Sequence, residues 1–556
     1  MNLQPQLRWL FLGQALLLGI AAVRNAHQLN PDAIAYCRIA GYYAAVEWDL
    51  AVTGYWGPLL SWLMVPLLKL GCAPLVAARM VMAASGVVFL AGAVSVFRAL
   101  RLPPKALLAG AWMALGWSIF WSVRNISPDL LLAGLVSLAL AATVEAMLVS
   151  GRSLCASAFE GNAPTNRARR LAIAAGLWWG VAYLAKAVAL PFAVLVTASF
   201  AVCAAGLRVG CRRELAQRLG LLWLCLALVT APWITVLSLH YGKFTFSTTG
   251  PIAHALAGPG EESRYHPAMV TLHHPEDGRV TQWEEPSRMA YRFWSPLASE
   301  ANFRHQLGVL AQNSATMFGW LAPWAGWLGD EGMPPWRRWL GAFDLLGLGA
   351  VALALVVGSM VSDWPRALPR RWGLAAVPVV VLGGLYLPFF VMAEDSRYFW
   401  PAWPCLWVLA VVGWTRVSRE WRTEFRAVLW AFAIPAAVWC GAALRGLPNP
   451  AAETARQLAA RLQSAGHTGP LAGSGSLPGG RTGLYVAFLL RESWLGDEPQ
   501  AGPEAFAAAG ARVVVMRSDS PQRETFERAS GWRAVETVAD RPLVVFVRGK
   551  FPAKGQ

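Results

Sequence analysis

Residues 129–149, DLLLAGLVSLALAATVEAMLV, form an apolar block whose charged side chains are Asp129 and Glu145. A helix of about 20 predominantly apolar residues is long enough to cross the hydrocarbon core of a bilayer. Similar blocks recur along the chain, and 56% of its 556 residues are hydrophobic whereas 14% are charged. We therefore predict an α-helical polytopic membrane protein with about eleven transmembrane helices. They fall near residues 7–23, 73–97, 106–122, 129–149, 171–185, 187–206, 219–239, 341–361, 373–392, 399–416 and 426–444.

The net charge of +16 comes largely from basic residues in short loops between the apolar blocks. Such loops face the cytoplasm in membrane proteins, so the charge orients the chain and does not indicate a nucleic-acid partner. With a cytoplasmic N-terminus, the inward-facing loops contain Arg98, Arg101, Lys105, Arg152, Arg167, Arg169, Arg170, Arg208, Arg212, Arg213, Arg218, Arg366, Arg370, Arg371, Arg416, Arg419, Arg422 and Arg426. This topology requires the Trp-rich stretch 309–340 to stay at the membrane interface, where Trp is favoured.

Three segments then fall on the outer side, at residues 24–72, 240–339 and 446–556. We expect residues 1–445 to form the transmembrane region and residues 446–556 to form a small soluble extracytoplasmic α/β domain. That last segment has an amphipathic helical pattern at 452–462 and strand-like runs at 511–516 and 542–547. A plain turn explains its glycine-rich stretch 473–475 better than a phosphate-binding loop, because no Gly-Lys-Ser/Thr follows. Cys37 and Cys72 both fall outside, where a disulfide is chemically allowed.

The first outer segment carries the residues best suited to chemistry. It reads NPDAIAY at 30–36 and closes with GYWGPLLSW at 54–62. Asp32 follows the first span closely, where a carboxylate can meet a lipid-borne substrate. The alternative is that Asp32 caps a short helix starting at Ala33. Glu47 and Asp49, further along, are typical of a solvated pair.

This arrangement resembles the first loop of the GT-C superfamily of membrane glycosyltransferases. The shared features are an acidic residue just beyond the first span, a tyrosine soon after it, and the Gly-Tyr-Trp-Gly-Pro-Leu closing segment. The most similar branch holds protein O-mannosyltransferases and lipid A aminoarabinose transferase. The resemblance implies that Asp32 is the catalytic base or orients the acceptor. Many members carry a second acidic residue next to the first, where this chain has Ala33.

Three further motifs resemble the same family. Residues 180–187, GVAYLAKA, are similar to its Gly-x-x-x-Leu-Thr-Lys segment, residues 397–404, RYFWPAWP, to its Arg-Tyr with spaced prolines, and Ser-Pro-Asp at 127–129 to a third segment. The resemblance implies substrate-binding roles for Tyr36, Tyr55, Asp129, Lys186, Arg397 and Tyr398. The residues themselves leave simpler roles open. Lys186 is able to snorkel, Arg397 to pair with Glu394 or Asp395, and Asp129 to cap a helix.

The predicted topology sends Asp32, Asp129, Lys186 and Arg397 to the outer face. Nucleotide sugars are cytosolic, so an outward-facing transferase needs a sugar carried across on a lipid phosphate. We expect transfer from a polyprenyl-phosphate-linked donor to an extracytoplasmic lipid, glycan or protein by an inverting displacement, in the inner membrane of a bacterium. The alternative is a secondary transporter or a flippase for lipid-linked saccharides, which should carry ionisable residues at mid-membrane depth.

The second outer segment is rich in groups that can bind metals. It contains His254, His266, His273, His274, Glu284, Glu285 and His305. Their spacing fits no standard metal-site pattern, so we expect a solvated loop that contacts the acceptor and assign no metal ligands. No cofactor is required by the sequence, and a divalent metal ion is left open.

Overall fold

The structure is a computed structural model that describes residues 3–148, 163–206, 212–260, 266–275, 278–321, 373–388, 396–416, 436–475, 481–538 and 543–549. Its α-helices are α1 (Gln4–Arg24), α2 (Pro31–Ala45), α3 (Trp48–Ala51), α4 (Pro58–Lys69), α5 (Pro74–Ala99), α6 (Pro104–Arg124), α7 (Asp129–Leu148), α8 (Ala163–Ala185), α9 (Ala189–Gly206), α10 (Arg212–Tyr241), α11 (Thr249–Leu256), α12 (Pro267–Val270), α13 (Glu300–Leu321), α14 (Ala376–Tyr386), α15 (Trp403–Arg416), α16 (Pro450–Ser464), α17 (Arg481–Leu490), α18 (Pro503–Ala508) and α19 (Arg523–Arg528). Short 3-10 helices cover Gln282–Glu284, Pro286–Arg288 and Ser396–Ala402, and residues 436–445 are also helical.

The long helices of the first half coincide with predicted spans. Among the described residues, five helices are long and apolar enough to cross a bilayer, namely α1, α5, α6, α7 and α10. Helices α8 and α9 cover the predicted spans 171–185 and 187–206. The predicted span 341–361 lies outside the described residues, and the one at 426–444 is described only from residue 436. A multi-pass helical architecture is therefore confirmed, whereas the number of about eleven spans stays a prediction.

Glycines allow α5 and α7 to pack with their backbones in contact. A Cβ added at Gly92 of α5 would lie 2.5 Å from the carbonyl oxygen of Gly134 in α7. A Cβ added at Gly134 would lie 2.7 Å from the backbone nitrogen of Phe89. Small residues at such crossings bring membrane helices close enough for extensive van der Waals packing. This packing buries α7, whose first residue is Asp129.

The first outer segment folds into three helices, α2, α3 and α4. Helices α2 and α4 begin at Pro31 and Pro58, because proline has the φ angle of a helix and lacks an N–H that the first turn would leave unpaired. Asparagine side chains tie the start of this segment to residues 443–449. Asn25 donates to the carbonyl oxygen of Ala443 at 2.7 Å, and Asn449 donates to that of Leu29 at 2.9 Å.

The C-terminal α/β region, residues 450–549, contains a five-stranded sheet with helices α16 to α19. Its strands are β1 (Leu471–Ser474), β2 (Trp494–Asp497), β3 (Val513–Arg517), β4 (Trp532–Val538) and β5 (Leu543–Arg548). The spatial order is β2-β1-β3-β5-β4; β1 is parallel to β2 and β3, and β5 is antiparallel to β3 and β4. The helix predicted at 452–462 and the strands predicted at 511–516 and 542–547 are present. The turn predicted at 473–475 is displaced, since Gly473 and Ser474 end β1 and the chain leaves the strand at Gly475.

The sequence allowed a disulfide in the first outer segment and placed the Trp-rich stretch 309–340 at the membrane interface. The second of these stays a prediction. Cys37 and Cys72 are free thiols, so the disulfide allowed by the sequence does not form. Residues 309–321, the first part of the Trp-rich stretch, belong to α13. The remainder of that stretch, 322–340, lies outside the described residues.

Candidate active site

Four charged side chains from distant parts of the sequence meet at one place. Asp32 lies in the first turn of α2, Asp129 is the first residue of α7, and Lys186 directly follows α8. Arg397 lies in the 3-10 helix Ser396–Ala402. Asp32 and Arg397 are separated by 365 residues yet form a hydrogen bond. We call these four residues the charge cluster.

Alternating charges link the members of the charge cluster in series. Arg397 Nη1 donates to Asp32 Oδ2 at 2.7 Å, and Arg397 Nε lies 3.7 Å from Asp129 Oδ2. Lys186 Nζ donates to Asp129 Oδ1 at 2.7 Å. The Asp129 side chain is 2% exposed, whereas those of Asp32, Arg397 and Lys186 are 15%, 13% and 22% exposed. A ligand can therefore reach Asp32 and the two cations, while Asp129 contacts both cations from the buried side of the site.

The half-buried Asn30 and the buried Arg79 tie together the segments that lead into the two carboxylates. The Asn30 amide group donates to the carbonyl oxygen of Ile126 at 3.2 Å and accepts from its backbone nitrogen at 2.9 Å. The Arg79 guanidinium in α5 donates to the carbonyl oxygens of Val123 at 2.8 Å and Gln28 at 2.5 Å. The chain before α2 and the chain before α7 are thereby held together on both sides.

Lys186 occupies the short break between α8 and α9. Its Nζ lies 4.3 Å from the centre of the Tyr398 ring, which is a cation–π contact. Burial opposes its charge, but the neighbouring Asp129 carboxylate outweighs burial and raises the pKa of Lys186 above its ordinary value. Lys186 is thus an internally paired cation, and the alternative that it snorkels to the membrane surface is wrong.

Tyr36 and Tyr398 lie beside the charge cluster. The Tyr36 ring is buried and meets Trp56 edge to face at 5.1 Å. Burial, with a further contribution from the Asp32 carboxylate, raises the pKa of Tyr36 well above its ordinary value. Tyr36 therefore presents a neutral phenol near Asp32. The Tyr398 ring lies 5.5 Å from the Arg397 guanidinium carbon, so this ring contacts both cations of the cluster.

Tyr55 joins the first outer segment to the second. Its hydroxyl lies 2.8 Å from His266 Nε2, and burial raises the pKa of Tyr55 well above its ordinary value. His266 is half-buried, and desolvation lowers its pKa to about 4 although the Asp32 carboxylate opposes the shift. A neutral imidazole and a neutral phenol thus form a hydrogen bond next to Asp32.

The capping role considered for Asp32 is wrong. Helix α2 begins at Pro31 after the N-cap residue Asn30, which places Asp32 inside the first turn. The Asp32 carboxylate is hydrogen-bonded to Arg397 instead. In the same way, the Asp129 carboxylate at the start of α7 binds Lys186. Both acids are thus engaged by cations.

Arg397 has Asp32 as its partner in the described structure. Glu394 and Asp395, the local partners that the sequence suggested, lie outside the described residues. Pairing with a residue 365 positions away is a consequence of tertiary packing, which local sequence does not report.

The second outer segment does not behave as a solvated loop at its two glutamates. Glu284 and Glu285 are fully buried. Tyr42 donates to Glu284 Oε2 at 2.7 Å, and Tyr241 donates to Glu285 Oε2 at 2.9 Å. Within the described ranges, three or more His, Cys, Asp or Glu side chains do not converge as metal ligands. The glutamates therefore hold the segment against α2 and α10.

Several residues of the site were not predicted from the sequence. Arg79 is an arginine inside an apolar block, and that placement is itself a signal of a buried functional or structural partner. His266 is one histidine among several, and Asn30 precedes a proline as many loop residues do. The Tyr386 ring lies 5.2 Å from the Tyr398 ring at a tilt of 55°, and its place near the end of a predicted span was the only sequence signal for it.

An apolar groove of about 660 Å³ lies between the first outer segment and the helices α8 and α10. Trp62, Leu184 and Trp233 are among its lining residues, together with Lys69 at the end of α4. Leu184 is two residues before Lys186. The groove thus adjoins the end of α8, the helix that Lys186 follows.

Comparisons with known proteins rest on structure. No protein-family profile matches the sequence, and no curated protein matches it. ArnT from Cupriavidus metallidurans in the apo state is similar over 99% of this chain and 99% of that chain, with 16% identity and a TM-score of 0.55. The same protein bound to undecaprenyl phosphate is similar over 97% of this chain and 98% of that one, with 18% identity and a TM-score of 0.53.

A second similar structure is the apo oligosaccharyltransferase of Archaeoglobus fulgidus. It matches 91% of this chain and 70% of that chain, with 12% identity and a TM-score of 0.52. At these identities the similarity concerns the fold, and it includes the C-terminal α/β region because nearly the whole chain is covered. The chain therefore has the fold that ArnT and this oligosaccharyltransferase share.

Proposed function

We propose that this protein is an integral-membrane glycosyltransferase that transfers a sugar from a polyprenyl-phosphate-linked donor to an extracytoplasmic acceptor. The observation that carries the proposal is the charge cluster, in which Asp32 contacts Arg397 at 2.7 Å while Lys186 lies on the far side of Asp129. A base and two cations at one partly open site are what displacement of a phosphate leaving group requires. ArnT, which shares the fold, binds undecaprenyl phosphate.

In the proposed reaction, the acceptor hydroxyl attacks the anomeric carbon of the donor sugar. The new bond joins the acceptor oxygen to that carbon, the bond between that carbon and the phosphate oxygen breaks, and the hydroxyl proton passes to Asp32. The polyprenyl phosphate leaves with the electron pair. Arg397 and Lys186 stabilise the negative charge that grows on it. A single displacement inverts the configuration at the anomeric carbon, and no covalent enzyme intermediate is required.

The contacts suggest how one site serves both partners. Arginine has five N–H donors in a planar fork, so Arg397 can keep its bond to Asp32 while other N–H groups face a phosphate. Asp129 would repel an anionic lipid, and its burial suits it to orienting Lys186 and Arg397 from behind. The apolar groove, which Leu184 helps to line at the end of α8, offers space for hydrocarbon.

A transporter or flippase is the alternative that the sequence leaves open. Such proteins place ionisable residues near the middle of the membrane. The charge cluster lies at helix ends, since Asp32 is in the first turn of α2, Asp129 begins α7 and Lys186 follows α8. This placement favours chemistry at a membrane surface over passage through the membrane.

Binding of undecaprenyl phosphate to the purified protein in lipid nanodiscs tests the donor site. A charge-assisted hydrogen bond contributes about 1.5–3 kcal/mol, so Lys186→Ala and Arg397→Ala should each raise the dissociation constant roughly 10- to 100-fold. Both variants should also transfer sugar more slowly from an undecaprenyl-phosphate-linked donor.

Lys243→Ala is the matched control, because Lys243 is an exposed cation beyond α10, within the outer segment 240–339 predicted above. Its affinity for undecaprenyl phosphate should equal that of the wild type. A wild-type protein that does not bind this lipid, or an equal loss of affinity in all three variants, would contradict the proposed donor site.

A further inference from the structure

The second outer segment pairs with the edge strand β2 of the C-terminal sheet. Strand β2 is the first strand of the order β2-β1-β3-β5-β4, so one of its edges has no neighbour among the strands that the structure describes. The Trp494 backbone nitrogen donates to the carbonyl oxygen of Val280 at 2.8 Å, and Thr281 forms a parallel bridge with Trp494. The His273 backbone nitrogen donates to the carbonyl oxygen of Leu495 at 2.9 Å. Residues 271–273 and 280–281 therefore lie along β2.

A glycine in β2 makes this approach close. Gly496 has φ +101°, and a Cβ added there would lie 1.9 Å from the carbonyl oxygen of Thr271. Any side chain at this position must push the outer segment away from the strand. Gly510 has a similar φ of +82°, but a Cβ added there meets nothing within 4 Å. The two glycines share the backbone conformation and differ in whether the second outer segment lies against them.

One tryptophan connects this pairing to the charge cluster. Directly after Thr281 the chain makes a 3-10 turn, Gln282–Glu284, which contains Trp283. The Trp283 indole Nε1 donates to the carbonyl oxygen of Pro31 at 3.2 Å, and the Trp283 carbonyl oxygen accepts from Trp56 Nε1 at 2.9 Å. Pro31 immediately precedes Asp32. Trp283 thus donates a hydrogen bond to the first turn of α2, the helix that contains Asp32.

Other contacts place the same region of α2 against the C-terminal α/β region. The Arg38 guanidinium carbon lies 5.3 Å from the centre of the Phe488 ring in α17. Glu284 accepts a hydrogen bond from Tyr42, also in α2. Helix α17 therefore contacts α2 directly, and the sheet edge is linked to α2 through the second outer segment.

We propose that Trp283 is a positioning residue for Asp32, and that the C-terminal α/β region acts on the site through the β2 edge, which contacts Thr271, His273, Val280 and Thr281. This inference rests on the proposed function, because Asp32 must be the base for its position to affect turnover. The C-terminal α/β region is then part of the catalytic unit. Displacing a catalytic group by about 1 Å can cost up to 10²-fold in rate, so loss of one of several contacts should cost less.

Two substitutions disrupt the link between β2 and Asp32, one at the Trp283 hydrogen bond and one at the Gly496 contact. Trp283→Phe keeps an aromatic ring but removes the N–H donor to Pro31, and Gly496→Ala places a methyl group against Thr271. Each should lower turnover on the order of tenfold at saturating donor. Each should leave the dissociation constant for undecaprenyl phosphate unchanged, because Lys186 and Arg397 are untouched. Gly510→Ala is the matched control and should retain wild-type turnover.

A double variant separates positioning from a general structural effect. If Trp283 acts through Asp32, Trp283→Phe should cause no further loss of turnover when Asp32→Asn is already present. The inference is overturned if Trp283→Phe has wild-type turnover, or if its effect multiplies fully with that of Asp32→Asn. Should Gly496→Ala fail to fold, Trp283→Phe and the double variant decide the question. Absence of transfer by the wild type would instead contradict the proposed function.

Discussion

Asp32→Asn is the most informative single substitution in this protein. Asparagine has nearly the same shape as aspartate and can still accept a hydrogen bond from Arg397, which now lies 2.7 Å from the carboxylate. It cannot accept the proton of an acceptor hydroxyl. The variant therefore removes the proposed chemistry and leaves the packing of α2 in place.

The expected kinetic and structural effects differ in size. Loss of a general base slows a reaction by about 10² to 10⁴, which corresponds to about 3–5 kcal/mol of activation free energy. Replacing a charge-assisted hydrogen bond by a neutral one changes the free energy of unfolding by about 1 kcal/mol. Asp32→Asn should therefore abolish most transfer while the protein remains folded. Its affinity for undecaprenyl phosphate should not fall, because a neutral residue 32 leaves the charge of Arg397 less compensated.

The assay is transfer from an undecaprenyl-phosphate-linked sugar by protein in nanodiscs, with lipid binding measured on the same samples. Asp49→Asn serves as the matched control, since Asp49 is an exposed carboxylate of the same outer segment in α3. Wild-type transfer by Asp32→Asn would refute the role of Asp32 as base. Equal losses in Asp32→Asn and Asp49→Asn would point to a general effect of charge on this segment.

Two further predictions concern topology and pH. In a cysteine-free background, an impermeant thiol reagent added to intact cells should label Asp49→Cys but label Lys105→Cys only after permeabilisation, and the reverse pattern would invert the proposed orientation. Burial raises the pKa of Glu284 from 4.5 to about 7, so the folded state favours the protonated acid and loses stability as the pH rises from 4.5 towards 7. Glu284→Gln should therefore raise the unfolding temperature at pH 8 and leave it unchanged near pH 4.5, and an equal change at both values would contradict the assignment.

The general location of the candidate site was accessible from local sequence. Asp32, Lys186 and Arg397 lie in short motifs that resemble one family, and the charge-derived topology sent them to one face. Their contacts were not accessible. The simpler alternatives, in which Arg397 pairs with a neighbour in sequence and Asp32 caps a helix, consider only interactions within a few residues. The observed pairs join α2 to the 3-10 helix Ser396–Ala402 and α7 to the break after α8.

By itself, the sequence determined that this is a multi-pass helical membrane protein with a C-terminal α/β region. Hydrophobic length and periodicity are local properties, and the bilayer admits few solutions for them. The tertiary structure alone decided that the glutamates of the second outer segment are buried, that β2 pairs with that segment, and that Trp283 contacts Pro31. These contacts depend on how separate elements pack and on close approaches such as that at Gly496. Such close approaches depend on how distant segments pack, and composition and spacing along the chain do not predict that packing.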